Sequence, residues 1–205
     1  MEVRTGKVKL EGELFMPEAP VGVILRCVAP GSLGNASDAV LAEAFGRYSM
    51  AMLRVSLLTG EELAVEPQTH RYQRDAEFLA GRVIDVAQWV HANAATAGLP
   101  IGYCGYYATA AAVLVAATQR PDIVSAVVAI NGRTDLANDY LRDLRTPTLL
   151  TINEMPVLRM NREALSLLKG ERRIEIVHGD REAAVSIMVE KSVRWFADRM
   201  TLVAA

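Results

Sequence analysis

The segment IGYCGYYATAAAVLVAAT, residues 101–118, places a thiol and two phenols beside a predicted turn from strand to helix. Many enzymes mount a nucleophile on such a turn. Cys104 offers a thiol, which attacks in its thiolate form. Tyr106 and Tyr107 offer phenols, whose pKa of about 10 makes them weak nucleophiles but suitable proton donors. The residue at the tip of the turn therefore decides which chemistry is available.

The elements around this turn indicate a sheet with helices between its strands. Continuous apolar runs predict buried strands at VGVILRCV, MAMLRVSLL, LPIGYCG, IVSAVVAING, TPTLLTIN and RRIEIVHG. Amphipathic or apolar runs between them predict helices, and KVKLEGELFMP alternates as a half-exposed strand or hairpin should. The sequence therefore predicts one α/β domain over residues 1–205, with a mostly parallel central sheet flanked by helices on both faces.

Two local predictions concern the segments next to the first strands. Ser37 or Asp38 is expected to cap a helix over AVLAEAFGRY, because short polar side chains are favoured at that position. The stretch TGEELAVEPQTHRYQRD is rich in polar residues and is expected to be a loop.

Composition and charge exclude several functional classes. The net charge is −2 and no basic run is present, which argues against a nucleic-acid partner. No apolar run approaches the roughly 20 residues that span a bilayer, and the amino terminus does not resemble a signal peptide. Neither the two cysteines nor the three histidines have metal-ligand spacing. We expect a soluble cytoplasmic protein without a metal, a cofactor or a membrane partner.

In their order and spacing, five motifs resemble the dienelactone hydrolase-like branch of the α/β-hydrolase fold. They are LPIGYCG with AAAVLVAATQRPD, VVAINGRTDLA, TPTLL, NREALSLL and VRWFADRM. The resemblance extends from about residue 12 to about residue 200 and implies a minimal α/β-hydrolase fold without a large lid. It also implies a Ser or Cys nucleophile on a G-x-S-x-G turn, a His base, an orienting Asp and an oxyanion hole.

Two registers of the nucleophile turn compete. If Cys104 is the nucleophile, only LPI remains for the preceding strand, which is shorter than the usual strand of about 5–6 residues. The second register places the turn at residues 105–109, with Tyr107 at the nucleophile position and Thr109 in place of the second glycine. Strand length and helix phase favour the second register, which makes Cys104 a buried strand residue. Tyr107 is then either a proton donor or a plug in the vacated site.

At the position of the histidine base, this chain also differs from the family pattern. Relatives end the last strand in a Gly-Ala-x-His turn, whereas this chain continues through His178, Gly179, Asp180 and Glu182. If Gly179 matches the family glycine, Glu182 takes the place of the histidine, and His178 lies at the end of the strand.

The acid and oxyanion positions differ as well. No Asp lies between Thr146 and Gly170, and Asn153 and Glu154 are the nearest polar substitutes. The oxyanion turn of relatives is replaced by a segment from Cys27 to Ser32 that includes a proline, which lacks a backbone donor.

Because the nucleophile, base, acid and oxyanion positions all depart from the family pattern, the sequence argues against a serine hydrolase. The first expectation is an enzyme with non-hydrolytic acid–base chemistry of the isomerase, cyclase or lyase type. Tyr107 or Tyr106 would donate the proton, and His178, Asp180 or Glu182 would accept it.

Two alternatives remain open. One is an inert pseudoenzyme with a binding or regulatory role, whose site the tyrosines fill. The other is an esterase or lactonase that uses Cys104. The expected ligand is a small apolar carbonyl compound, and a homodimer is compatible with the sequence. The residues predicted to contact the ligand are Cys27, Ser32, Asn153 and Glu154.

Overall fold

The computed structural model describes residues 1–6, 8–28 and 36–200, without the side chains of Ala36, Ser37 and Arg181. Eight strands form one sheet in the order β1-β2-β4-β3-β5-β6-β7-β8. They are β1 (Glu2–Thr5), β2 (Val8–Phe15), β3 (Gly22–Val28), β4 (Met50–Ser56), β5 (Ile101–Tyr106), β6 (Ala126–Ile130), β7 (Thr148–Ile152) and β8 (Arg172–Ile176). The strands from β3 to β8 pair in parallel, whereas β2 pairs antiparallel with both of its neighbours, β1 and β4. The predicted mostly parallel sheet is confirmed.

Helices pack on both faces of this sheet. They are α1 (Ala36–Gly46), α2 (Gly60–Thr69), α3 (Ala76–Ala92), α4 (Ala108–Gln119), α5 (Asn138–Leu141), α6 (Met155–Leu167) and α7 (Arg181–Met200). One apolar cluster lies under α3 and α4, and the other lies under α1 and α7. In the second cluster, Phe45 and Phe196 meet edge to face with their ring centroids 5.8 Å apart. Within the described ranges, no helix combines the length and apolar character needed to cross a bilayer.

The predicted loop after β4 is wrong over its first part, because residues 60–69 form α2. Thr59 and Glu62 make a reciprocal cap. The Glu62 amide donates to Thr59 Oγ1 at 3.2 Å, and the Thr59 amide donates to Glu62 Oε2 at 2.8 Å. The helix carries few apolar residues, so it lacks the periodicity that reveals most helices, and only this capping pair indicates it.

The predicted capping role of Asp38 is also wrong. Asp38 lies within α1, which begins at Ala36, and its carboxylate is buried. It accepts hydrogen bonds from Arg26 Nε at 3.0 Å and Arg54 Nε at 2.8 Å. The carboxylate therefore ties α1 to two neighbouring strands and does not cap the helix.

Candidate functional site

The strand–helix turn after β5 has Tyr107 at its tip, as the second register predicts. Tyr107 immediately precedes α4 and has backbone angles φ 53° and ψ −113°. A positive φ is a genuine outlier for a bulky residue and costs about 1–3 kcal/mol, so the surrounding structure must hold it. The Tyr107 amide donates to the Ile130 carbonyl, and the Arg133 amide donates to the Tyr107 carbonyl, both at 3.0 Å. The end of β6 and the loop after it therefore fix the turn on both sides.

Thr109 occupies the second small-residue position of the turn and ties it to β3. Its hydroxyl accepts from the Tyr106 amide at 3.0 Å and lies 2.9 Å from the Cys27 carbonyl. A side chain at Gly105 has no room, because its Cβ would lie 2.5 Å from the Thr109 carbonyl oxygen. The strand and the helix are thus in direct backbone contact at this point.

Asn131, which the sequence analysis did not select, joins the ends of β6 and β7. Its backbone has a φ of 46°, and its side chain is almost fully buried. Its Oδ1 accepts from the amides of Asn153 at 2.9 Å and Glu154 at 3.3 Å. Its Nδ2 donates to Glu154 Oε1 at 3.2 Å and also contacts Asn153 Oδ1. The sequence signal that could have found Asn131 is the Asn131-Gly132 pair after an apolar strand. Such a pair indicates a turn, because Asn tolerates left-handed backbone.

Tyr106 and Glu154 meet at this edge of the sheet. The Tyr106 hydroxyl donates to Glu154 Oε1 at 2.7 Å, although the two residues are 48 positions apart in the sequence. Tyr106 and Tyr107 are 37% and 38% exposed, and their ring centroids lie 6.4 Å apart. Two phenols and one carboxylate are therefore brought together on a surface open to solvent.

A cavity of about 190 Å³ lies beside Tyr107. Its walls are formed by His70, Gln73, Arg74, Tyr107, Ala108 and Arg133. The buried carboxylate of Glu66 shapes the segment that carries three of these residues, because it accepts from the amides of Tyr72 and Gln73, both at 2.9 Å. The cavity is thus lined by an imidazole, two guanidinium groups and the amino-terminal end of α4. The guanidinium groups and the helix end favour negative charge.

Arg133 is the second residue that the sequence analysis did not select. Its guanidinium lies 5.9 Å from the centre of the Tyr107 ring and binds Asp135 through two hydrogen bonds of 2.9 and 2.7 Å. The hydrogen bonds that Arg133 donates to Asp135, and to a lesser extent its contact with Tyr107, raise the pKa of Arg133, while partial burial opposes them. Arg133 is therefore charged at any physiological pH and held against the phenol.

The predicted bases make no hydrogen bond or ion pair with this cluster among the described residues. His178, Asp180 and Glu182 follow β8 and are exposed. Asp180 Oδ1 accepts from the Ala183 amide at 2.9 Å near the start of α7. In the part of the chain that the structure describes, no hydrogen bond or ion pair joins His178 to Tyr106 or Tyr107. Their catalytic role stays a prediction.

The two cysteines do not offer accessible thiols. Both side chains are fully buried, and burial raises the pKa of the Cys27 thiol to about 12 and that of Cys104 to about 11. The prediction that Cys27 contacts a ligand is corrected, because only its carbonyl takes part in the turn, where it lies against Thr109 and accepts from Arg26. The predicted ligand contact Ser32 lies outside the described residues.

Cys104→Ala should leave any turnover of p-nitrophenyl acetate unchanged. With a thiol pKa of about 11, only about one molecule in ten thousand carries the thiolate at pH 7, and no solvent reaches it. Initial rates of the wild type, Cys104→Ala and the equally buried control Cys27→Ala would test this. Turnover that disappears in Cys104→Ala alone would contradict the assignment of Cys104 to the core.

No protein-family model matches the chain. Among curated proteins, it is 32% identical over 208 residues to a proposed phosphoribosyl transferase of Mycobacterium tuberculosis. That alignment covers 98% of this chain but 46% of the other protein, so the chain spans about half the length of this relative.

Solved structures match this chain over nearly the full length of both chains. A ferulic-acid complex of Est1E from Butyrivibrio proteoclasticus has a TM-score of 0.78 at 14% identity, covering 98% of this chain and 99% of that chain, which indicates the shared fold. A dienelactone hydrolase from Anabaena variabilis is 31% identical, with a TM-score of 0.91. The match covers 97% of this chain and 96% of that chain. With this fold, this coverage and this identity, the chain belongs to the dienelactone hydrolase-like family of α/β-hydrolase-fold proteins.

Proposed function

We propose that this protein is an enzyme that uses the dienelactone hydrolase scaffold for non-hydrolytic acid–base chemistry. The reaction would be of the isomerase, cyclase or lyase type, on a small carbonyl compound that carries a negative charge. The proposal rests on Tyr107, which stands in a strained turn at the tip between β5 and α4. This is the place where the family resemblance puts the nucleophile, and a phenol there favours proton transfer over an acyl-enzyme.

The role proposed for Tyr107 is to donate a hydrogen bond or a proton to the carbonyl oxygen of the ligand. Negative charge develops on that oxygen when a proton leaves the neighbouring carbon, and donors fixed in advance stabilise it most effectively. The bonds to Ile130 and Arg133 hold the Tyr107 backbone in place. The Arg133 guanidinium beside the ring adds a positive charge to the same region.

The lining of the cavity supports an anionic ligand over the wholly apolar compound expected from the sequence. His70, Arg74 and Arg133 contribute polar or cationic groups to its wall. Asp135 offsets part of the charge of Arg133, so Arg74 and the first amides of α4 are the groups proposed to meet the anion. A carboxylate is the simplest such group on a small carbonyl compound.

Deuterium exchange tests the proposal without a known substrate. The α-protons of pyruvate, 2-oxobutyrate and levulinate would be followed by NMR in D₂O with and without the protein. We expect the wild type to accelerate exchange of at least one compound, and Tyr107→Phe to lower that rate by about 100-fold. Tyr48→Phe, at an exposed tyrosine between α1 and β4, is the matched control and should retain the rate. The absence of exchange with every compound would contradict the proposal.

A binding protein without catalysis is the second candidate. The hydrogen bond between Tyr106 and Glu154 engages two of the polar groups at this edge with each other, which favours a surface that binds without catalysis. In that case the compounds that bind in a calorimetric titration would show no exchange, and Tyr107→Phe would change affinity alone.

A further inference from the structure

We infer that Glu154 is the general base of this site, with Tyr106 and Asn131 as the residues that position it. The inference rests on the function proposed above, because it assigns the group that removes the proton. From the sequence, Glu154 is expected to be a polar substitute at the acid position and a ligand contact, whereas the base is expected after β8.

The two oxygens of the Glu154 carboxylate have different surroundings. Oε1 accepts from the Tyr106 hydroxyl at 2.7 Å and from Asn131 Nδ2 at 3.2 Å. Oε2 accepts no hydrogen bond from any residue in the described ranges. One oxygen is therefore anchored, while the other is available to take a proton, which is the arrangement that a positioned base requires.

The backbone that carries Glu154 is also held. Asn131 Oδ1 accepts from the Glu154 amide at 3.3 Å, and the Asn131 amide donates to the Thr151 carbonyl at 2.8 Å. Asn131 is 1% exposed, so this amide side chain is a rigid support. The same buried residue therefore holds both the main chain and the side chain of Glu154.

Glu154 and Tyr107 are both neighbours of Tyr106. The hydroxyl of Tyr106 reaches the carboxylate, and its ring centroid lies 6.4 Å from that of Tyr107. A small ligand lying over this half-exposed ring would therefore be next to both the proposed proton donor and the proposed base. Among the residues that the structure describes, the exposed groups after β8 make no hydrogen bond to either tyrosine, and Asp180 instead accepts from the Ala183 amide.

The inferred step needs no cofactor. Glu154 Oε2 takes a proton from the carbon next to the carbonyl, and the electron pair of the broken C–H bond forms a C=C bond. The carbonyl π electrons move to oxygen, where Tyr107 donates a hydrogen bond to the resulting enolate. Return of the proton from Glu154 to the ligand restores the carboxylate, and in D₂O exchange of this proton with solvent labels the ligand.

The test uses the exchange assay with Glu154→Gln, Tyr106→Phe and the matched control Glu163→Gln. Glu163 lies on α6, the helix that Glu154 immediately precedes, but its side chain is exposed and pairs with Arg159. We expect Glu154→Gln to lose about 100-fold or more in exchange rate, the usual effect of removing a general base. Tyr106→Phe should lose about tenfold, because it removes one anchoring hydrogen bond and leaves the charge. Glu163→Gln should match the wild type.

Chemical rescue separates a base from a structural residue. In Glu154→Ala, added formate should restore exchange in proportion to its concentration, whereas Tyr107→Phe should not respond. Circular dichroism would show whether each variant is folded. If Glu154→Gln is misfolded, the rescue of Glu154→Ala by formate tests the role of Glu154 in its place. A Glu154→Gln variant that exchanges like the wild type, while Tyr107→Phe is impaired, would overturn the inference but leave the proposed function intact. A wild type without exchange would overturn both.

Discussion

Replacing Asp38 with asparagine should lower the free energy of unfolding by about 3–5 kcal/mol, the usual result of breaking a buried ion pair from one side. Asp38 is 2% exposed, and it is bonded to two arginines that are themselves buried, Arg26 and Arg54. An asparagine of the same shape can accept a hydrogen bond but carries no charge. The two guanidinium groups would then stay in the interior without this counter-charge.

Urea unfolding followed by circular dichroism would measure the effect of Asp38→Asn. The matched control is Asp122→Asn, which removes a carboxylate paired with Arg120 on the surface. Exposed pairs contribute little, so this control should unfold like the wild type. If Asp38→Asn unfolded at the same urea concentration as the control, the carboxylate would not be the main counter-charge of the two arginines.

Replacing Gly105 with alanine should lower the free energy of unfolding by about 3 kcal/mol, the upper part of the usual cost of overpacking. The new Cβ would lie 2.5 Å from the carbonyl oxygen of Thr109 and 2.7 Å from Cα of Ala110. Both are backbone atoms at the start of α4, so no side-chain rotation can relieve the overlap. The helix must move away from β5, and the turn at Tyr107 must move with it.

Gly81→Ala is the control for Gly105→Ala, because it makes the same change on the exposed side of α3. Its Cβ would meet no atom within 4 Å, and alanine should stabilise the helix by about 0.5–1 kcal/mol. The two substitutions are therefore expected to change the free energy of unfolding in opposite directions, which thermal or urea unfolding would measure. Equal stability of the two variants would contradict the close contact between strand and helix.

The sheet could be predicted because its strands carry their signal locally. Runs such as VGVILRCV and TPTLL are buried on both faces, so their apolar character is continuous and independent of distant residues. Helix α2 was missed for the opposite reason. It is stabilised by the capping pair Thr59 and Glu62 and by contacts of Glu66, and these leave no apolar period in the sequence.

The site was predicted only in part. Strand length and helix phase located Tyr107 at the tip of the turn, because both follow from local geometry. The partners of the tyrosines could not be located in this way. Glu154 follows β7, Asn131 follows β6 and Arg133 lies in the next loop, and no spacing rule relates these residues to β5.

The sequence by itself determined the family resemblance, the chain order of the strands and of most helices, and the presence of a tyrosine at the turn after β5. These properties depend on residue type, apolar periodicity and chain order, which are all local. Only the tertiary structure decided which polar groups meet, since parallel pairing of β5, β6 and β7 brings their carboxyl ends to one edge of the sheet. The left-handed backbone of Asn131 and the strained turn at Tyr107 then direct these groups toward one another, and such dihedral angles arise from packing on all sides of a residue.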